Sequence, residues 1–323
     1  MNKMLTFNSF VLVPSLSNIM SRKEVDISTK MCGMTSELPI INANMHSICT
    51  FEMIDKIDKN NSFSSYHRFF SNKYERKDML EKCYPSRKNI FISIGTKKEE
   101  YDFIDSLYEL GFRNVIIDVN HGHHTMVADV LQYIKKTHKD IIVMAGNVSS
   151  SDGIKFLRDY GADIIKIGNS FGFSCTTIKA SGFGVHPIHV AREYRNTGDW
   201  DTPLCIDGGI KEVADIAKSL IWGNIVMVGK MLAGCDESNG RKIVNDKGSF
   251  VEYYGNASVT TKKIAENNHI KYIEGTTKLV PYNGPMSMIL DSIKEGVQSA
   301  FSFVGARNLK EFQENAKNQI LFV

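Results

Sequence analysis

The chain has 323 residues, of which 42% are hydrophobic, and its 39 Lys and Arg against 36 Asp and Glu give a formal net charge of +3. This length suffices for one large domain or two ordinary ones. The near-neutral charge argues against a nucleic-acid partner, because duplex binding usually requires a strongly basic surface. Pro and Gly are not enriched and no low-complexity block occurs, which excludes disordered and collagen-like chains.

The cysteines and the N-terminus indicate the compartment. Six cysteines are scattered with no C-x-x-C pair, so reduced thiols are expected rather than a disulfide framework or a zinc ribbon. Asn8 and Ser9 interrupt the first apolar run, and no signal peptide is predicted. No apolar stretch approaches the roughly 20 residues of a membrane span. We expect a cytoplasmic protein with no membrane partner.

Eight short apolar runs follow one another along the chain, and each predicts a buried β-strand. They are residues 39–43, 63–67, 90–95, 114–119, 140–147, 163–168, 203–207 and 224–229. Segments of helical period separate them, the clearest at 97–111, 125–140 and 211–223. Eight strand–helix units predict one (β/α)8 TIM barrel over residues 1–323. A doubly wound sheet is the alternative.

Polar or glycine residues end nearly every predicted strand. They are Asn44, His67, Gly95, Asp118, Asn147, Gly168, Asp207 and Gly229. A barrel gathers these ends around one site, whereas an open sheet spreads them along a crevice. A G-x-G-x-x-G motif is also absent after the first strand, and both observations favour the barrel. Long loops after the sixth strand (169–186) and the eighth strand (235–284) are where we expect the chemistry.

Cys175 lies in the first of these loops, beside Ser174 and Thr176. A thiol among hydroxyls and backbone donors on the catalytic face is a candidate nucleophile. For an arbitrary cysteine, a small buried hydrophobic side chain is the commoner role, but the position after a barrel strand favours the nucleophile. Cys205 lies inside a strand and is predicted to be structural.

Glycines after the seventh and eighth strands indicate an anion site. Gly208 and Gly209 follow Asp207, and Gly229 precedes Lys230. Barrels usually bind phosphate with backbone N–H groups at these two loops, and an adjacent carboxylate could hold ribose hydroxyls.

A histidine cluster offers a competing interpretation. His121, His123 and His124 follow Asp118, and imidazoles with a carboxylate can bind the zinc of a hydrolase. Only His67 and Asp207 are further candidate ligands at other strand ends. Polar loop residues lining a pocket are therefore the preferred interpretation. Basic residues of the segments 21–26 and 67–69 are either solvated or placed at a phosphate-bearing cofactor.

Taken together, the motifs resemble the IMP dehydrogenase and GMP reductase family over essentially the whole chain, and the GMP reductase branch more closely. They are FVLVPS, SRKEVD, PIINANM, IIDVNHGH, IVMAGNV, GADIIKIG, SCTT with SGFG, IDGGI, VMVGKMLAGCDES, EYYGNAS, IEGTTKLVPYNG and FVGARNLKEF. The resemblance implies a TIM barrel, a purine nucleotide substrate and a homo-oligomer, namely a tetramer.

The branch of the family decides the reaction. IMP dehydrogenases usually carry inserted regulatory domains after the second strand and an Arg-Tyr pair that activates water. The segment 68–89 is too short for a domain of typical size. The chain has no Arg-Tyr dipeptide, and no arginine between Arg241 and Arg307. Hydrolysis of a covalent intermediate would lack its usual base, whereas reductive deamination does not need it.

The resemblance implies that Cys175 attacks purine C2 of GMP and forms a thioimidate as ammonia leaves, after which NADPH delivers hydride and IMP is released. An amino group leaves poorly unless protonated, and Thr177 and Glu274 match the family's proton relay. The alternatives are a relative acting on another purine, such as a deoxynucleotide or modified guanine derivative, and a dehydrogenase-type reaction. A metal-dependent hydrolase and a binding-only barrel are minor alternatives.

The family's binding residues carry over by position. Those implied for the substrate are Asn44, Met45, Asp207, Gly208, Gly209, Gly229, Lys230, Tyr253, Asn256, Ser258, Lys271 and Gly275. Those implied for NADPH, partly in a neighbouring subunit's site, are Ser21, Arg22, Arg68, Asp118, Val119, Asn120, Asn147 and Ser299. A monovalent cation such as K⁺ would bind backbone carbonyls of Gly168, Ser170 and Cys175.

The chain departs from the family pattern mainly around the nucleotide. Ser170 and Phe171 replace Gly-Pro, so the cation turn is expected to differ or be lost. Phe173 stands where a phosphate-binding side chain is usual, and an aromatic ring cannot donate to a phosphate oxygen. That contact must come from elsewhere or be absent, and the ammonium of Lys230 could compensate.

Further departures lie on the base and cofactor sides of the site. Asn120 replaces Ala, Asn256 and Ala257 replace Met-Ser, and Lys271 replaces Arg. These changes keep the reacting groups and alter the way the nucleotide is held.

Overall fold

The computed structural model describes residues 3–83, 88–265, 273 and 275–323. Eight parallel strands, which we call the first to eighth barrel strands, form its central sheet. They are Ile40–Asn42, Ser64–Tyr66, Ile90–Ile94, Asn114–Asp118, Ile142–Val148, Ile164–Ile167, Leu204–Asp207 and Ile225–Val228. Each matches one of the predicted runs.

The sheet closes on itself. From the second to the eighth barrel strand, each pairs in parallel with the next along the chain, and the eighth pairs with the first through Val226 and Ile40. A parallel bridge between Ile41 and Phe63 joins the first strand to the start of the second. The predicted (β/α)8 barrel is therefore confirmed, and the doubly wound alternative is wrong.

Helices separate the barrel strands and continue to the C-terminus. They are α1 (Phe51–Lys59), α2 (Lys73–Lys82), α3 (Glu99–Glu109), α4 (Thr125–Thr137), α5 (Ser151–Asp159), α6 (Thr177–Ser181), α7 (Pro187–Arg195), α8 (Val213–Leu220), α9 (Lys230–Ala233), α10 (Val259–Ala265), α11 (Met286–Ser302) and α12 (Leu309–Ala316). Side chains cap several first turns, as when Thr50 accepts a hydrogen bond from the Met53 N–H at the start of α1. No helix in the described ranges is long and apolar enough to cross a membrane.

Branched apolar side chains of the barrel strands are buried on both faces of the sheet. Ile92, Ile116, Val143 and Ile165 are fully buried, as expected of parallel strands covered on both faces. Helix α3, which lies within the predicted helical segment 97–111, buries Phe103, Ile104 and Leu107. This packed interior fixes the strand ends that carry the polar residues.

The segment after the eighth strand differs from the prediction. Where we expected one long loop, residues 242–281 include an antiparallel sheet of Lys242–Asn245, Gly248–Tyr254 and Thr277–Pro281. Its first two strands form a hairpin in which Asn245 pairs with Gly248. The third strand pairs over a long separation, for example Val280 with Val251, which no local pattern reveals. Smaller elements complete the described chain. They are 3₁₀ helices at Phe7–Ser9 and Arg22–Glu24, the pair Phe10–Leu12 with Ile320–Phe322, and the hairpin of Thr29–Met31 and Met34–Ser36.

Candidate active site

A cavity of about 370 Å³ lies at the carboxyl ends of the barrel strands. Most of the predicted site residues line it. These are Asn44, Met45, Arg68, Asp118, Val119, Asn120, Asn147, Gly168, Ser170, Cys175, Thr177, Asp207, Gly208, Gly209, Gly229, Lys230, Tyr253, Asn256 and Gly275. The structure thus brings together at one place residues that are far apart in sequence.

Cys175 is half-buried in the cavity wall, and its Sγ lies 3.2 Å from the hydroxyl oxygen of Thr177. By contrast, burial raises the pKa of Cys49 and of Cys235 to about 12. Cys205 is fully buried, as its predicted structural role requires. A thiol beside a hydroxyl on an accessible wall can act as a nucleophile.

The loop that carries Cys175 needs an unusual backbone. Gly168 has φ +132°, and a Cβ there would lie 1.7 Å from the carbonyl oxygen of Asp207, so only glycine fits. Ser170, which replaces a family glycine, adopts φ +76°. Its Oγ lies 2.8 Å from both Asn169 Oδ1 and the Phe183 carbonyl oxygen, contacts that hold the left-handed turn.

A buried lysine, which the sequence analysis missed, connects two carboxylates of the cavity. The Nζ of Lys166 donates to Asp118 Oδ1 at 2.8 Å and to Asp207 Oδ2 at 3.3 Å. Burial acts to lower the pKa of Lys166, but the two carboxylates outweigh burial and raise it. For Asp118, burial acts to raise the pKa, and Lys166 and Arg68 outweigh it, so the pKa is lowered. The signal available in sequence was a lone lysine in the apolar run 163–168.

Asp207 is oriented for a ligand by Asn147. The amide Nδ2 of Asn147 donates to Asp207 Oδ2 at 2.8 Å and to the Gly168 carbonyl at 2.6 Å. Gly208 and Gly209 follow with positive φ of 103° and 84°, leaving open backbone beside the carboxylate. This arrangement can hold a diol next to an anion.

Asn256 has an unsatisfied acceptor. Its Nδ2 donates to the Asn44 carbonyl at 3.2 Å and lies 3.5 Å from Asp118 Oδ2. Its Oδ1 is buried and has no hydrogen-bond partner among the described residues. An unpaired buried acceptor is costly, so this position fits a ligand that brings an N–H donor.

Two lysines flank Phe173 at the cavity. The Nζ of Lys230 lies 4.6 Å from the ring centroid, and the Nζ of Lys278 lies 4.5 Å from it. Lys278 also donates to the Phe173 carbonyl at 2.5 Å. Lys278 was not predicted, because the strand that positions it was not recognised.

Some predicted residues do not line the cavity. Ser258 is buried behind it, where it forms a backbone bridge with Gly275. Ser21 begins the 3₁₀ helix packed against α11, the helix that also carries Ser299. Arg22 binds Glu295 of that helix at 2.7 Å. Lys271 and Glu274 lie outside the described residues.

The histidines after the fourth barrel strand make local contacts. His124 caps α4 by accepting from the Met126 N–H at 3.1 Å, and His123 packs on Phe156 with centroids 4.7 Å apart. Within the described ranges, no group of three His, Cys, Asp or Glu side chains could hold a metal.

Comparison with known proteins identifies the family. Residues 4–321 match the family described as IMP dehydrogenase / GMP reductase domain. A protein named GMP reductase from Lactobacillus delbrueckii subsp. bulgaricus is 35% identical over 310 residues, covering 95% of this chain and 92% of the relative. Another GMP reductase, from Oenococcus oeni, is 34% identical over 309 residues, covering 94% and 93%. The agreement of these comparisons with the barrel and its cavity shows that the chain belongs to the IMP dehydrogenase/GMP reductase family.

Proposed function

We propose that the protein is a GMP reductase-like oxidoreductase, which converts GMP to IMP and ammonia with NADPH as reductant. The observation that carries the proposal is the position of Cys175. Its thiol lies beside the Thr177 hydroxyl in a cavity that gathers ribose- and phosphate-binding groups, in a chain whose relatives include proteins named GMP reductase.

The proposed chemistry begins at the sulfur. The Cys175 thiolate adds to purine C2, and the C2–N bond to the amino group breaks as that nitrogen leaves as ammonia, giving a covalent thioimidate. Protonation of the leaving nitrogen is required, and we assign the proton transfer to the hydroxyl of Thr177, which lies 3.2 Å from the Cys175 sulfur. In this proposal, the carboxylic acid of Glu274 then donates a proton back to the Thr177 hydroxyl. Breaking the C–S bond returns the thiolate and releases IMP.

NADPH, when bound, supplies the hydride for purine C2. Asp118, Val119 and Asn120 line the part of the cavity assigned to its nicotinamide half. The unpaired Asn256 Oδ1 beside Asp118 fits a carboxamide N–H or a purine N–H donor. Ser21, Arg22 and Ser299 lie together away from this cavity, which agrees with a role in a neighbouring subunit's site. We therefore also propose a homo-oligomer, with a tetramer as the expected form.

We also propose a site for a monovalent cation, which the residues of the loop fit in part. The Gly168 carbonyl already accepts from Asn147 Nδ2, so one of its two lone pairs remains for K⁺. The left-handed turn at Ser170 keeps a bend at that position despite the loss of glycine. No step of the chemistry above depends on this ion.

The test is an ultraviolet assay of NADPH oxidation with GMP, dGMP and guanosine. We expect turnover of GMP, with activity lost in Cys175→Ala and retained in Cys32→Ser, whose thiol is exposed and lies apart from the cavity lining. Activity that survives Cys175→Ala would overturn the covalent mechanism. Turnover of dGMP or a modified guanine alone would assign the enzyme to another purine, and oxidation of IMP by NAD⁺ would assign it to the dehydrogenase reaction.

A further inference from the structure

We propose that Lys230 and Lys278, both held against the ring of Phe173, form a clamp that binds the 5′-phosphate and selects a nucleotide over its nucleoside. We call these two residues the lysine pair. The inference rests on the proposed function for the purine base. Its own content is the assignment of Lys278, which the family pattern does not include, to the phosphate, and the joint action of Lys278 with Lys230.

The geometry places both ammonium groups on one ring. Phe173 is half-buried, and both Nζ atoms lie within 4.6 Å of its ring centroid, inside the range of a cation–π contact. Lys230 comes from the end of the eighth barrel strand, whereas Lys278 comes from the antiparallel sheet. Two separate parts of the chain therefore place positive charge against the ring of Phe173.

The lysine pair also lies at the expected anion site. The backbone register places Lys278 opposite Tyr253, and the rings of Phe173 and Tyr253 have centroids 6.0 Å apart. A Cβ on Gly229 would lie 2.9 Å from the Tyr253 hydroxyl. Lys230 directly follows Gly229, the glycine from which a backbone donor for an anion is expected, and Lys278 lies on the strand that pairs with Tyr253, next to this glycine.

Lys230 and Lys278 have no acidic partner in the described part of the chain. Among the residues that the structure describes, no carboxylate forms an ion pair with Lys230 or Lys278. Other lysines in comparable surroundings are neutralised: Lys166 binds two aspartates, and Lys242, which lies over Tyr282, binds Asp236 at 2.6 Å. The two ammonium groups on one ring repel each other, and an anion that binds both of them offsets this repulsion.

In this proposal the lysine pair replaces the phosphate-binding side chain that is usual at residue 173. A phenyl ring cannot donate to phosphate oxygens, but two ammonium groups restrained by it can. Restraint matters because lysine side chains otherwise lose rotamer freedom when they bind. Phe173 therefore acts as a positioning residue, and the ammonium groups of Lys230 and Lys278 contact the phosphate.

The experiment is isothermal titration calorimetry of the full chain with GMP and with guanosine. Lys230→Met and Lys278→Met should each weaken GMP binding about tenfold, as expected for loss of a charge-assisted hydrogen bond, and leave guanosine binding unchanged. Phe173→Leu should weaken GMP binding by a smaller factor. Lys230→Arg and Lys278→Arg, which keep the charge and the ring contact, should retain most of the affinity.

Lys317→Met is the matched control, because Lys317 also lies over an aromatic ring, 5.3 Å from the centroid of Trp200, and this ring, unlike that of Phe173, does not line the cavity. It should bind both ligands as the native chain does. Equal losses for GMP and guanosine, or no loss for GMP, would overturn the proposal.

Titrations with AMP, IMP and XMP and their nucleosides separate this inference from the proposed function. If another monophosphate replaces GMP as the preferred ligand but still depends on the lysine pair, the clamp stands and the proposed reaction fails. If none of the four monophosphates binds more tightly than its nucleoside, the clamp is wrong.

Discussion

Lys166 and Asp118 form a buried ion pair at 2.8 Å, and the same ammonium reaches Asp207 at 3.3 Å. Only 2% of the lysine side chain is exposed. One charge therefore holds the carboxylates at the ends of the fourth and seventh barrel strands. These are the carboxylates that we assign to the cofactor half and the nucleotide half of the cavity.

Removing this lysine should be strongly destabilising. Lys166→Met removes the ammonium that binds both Asp118 and Asp207 and leaves Arg68 as the remaining cation that acts on Asp118. Breaking a buried pair in this way typically costs about 3 kcal/mol or more. Urea unfolding at pH 7 measures the loss. Lys59→Met is a matched control, because its partner Asp55 lies 2.7 Å away but the pair is exposed, and its loss should cost less than about 1 kcal/mol. Similar values for the two variants would contradict a coupling role for Lys166.

We predict that the buried His67 makes the fold less stable in mild acid. Burial lowers its pKa to about 3, whereas an unfolded histidine titrates near about 6.5. The unfolded state therefore binds the proton first, and stability that is complete above pH 6.5 is lost as the pH falls towards 3.

The variant His67→Gln keeps an acceptor for the Phe69 N–H and cannot titrate. Its drop in unfolding free energy between pH 7 and pH 5 should be smaller than that of the native chain by about 2 kcal/mol. Urea unfolding at both pH values provides the comparison. A measurement at pH 8 is the reference, because there His67 does not contribute to the pH dependence of the unfolding free energy. An unchanged drop would show that His67 is not the group responsible.

Thr177 should affect turnover more than binding. Thr177→Val removes the hydroxyl that lies 3.2 Å from the Cys175 sulfur and keeps the side-chain volume. If the hydroxyl transfers the proton to the leaving nitrogen, kcat should fall about 100-fold or more with little change in the affinity for GMP. Steady-state kinetics and calorimetry measure the two quantities. Thr176→Val, one residue earlier, is the control, and an equal loss there would point to a general disturbance of the loop.

Gly168 should tolerate no side chain. Gly168→Ala places a Cβ 1.7 Å from the Asp207 carbonyl oxygen, so the loop or the strand end must move and activity should be lost. Gly182→Ala is the control, because Gly182 also has a positive φ, of 78°, but a Cβ there would meet no atom of the described residues within 4 Å. That control should cost only about 1 kcal/mol of backbone strain. Activity and thermal unfolding of both variants decide between a steric and a purely conformational effect.

The sequence predicted what local patterns encode. Runs such as 90–95 and 114–119 consist mainly of apolar residues, which predicts a buried strand, and a polar residue such as Asp118 marks the end of the strand. The resemblance then assigned roles to residues such as Cys175. What escaped prediction depends on distant pairing. The strand with Lys278 forms only against residues 248–254, and the role of Lys166 requires Asp118 and Asp207 to come from other strands.

Backbone contacts also join the loop after the sixth barrel strand to a segment one hundred residues later. Cys175 bridges Gly275, and the Thr276 N–H donates to the Ser174 carbonyl at 2.9 Å. During synthesis all eight barrel strands leave the ribosome before residue 275 does. The eight barrel strands can therefore pair while Cys175 still lacks its backbone partner, so this wall of the cavity is completed only after the barrel strands have been synthesised.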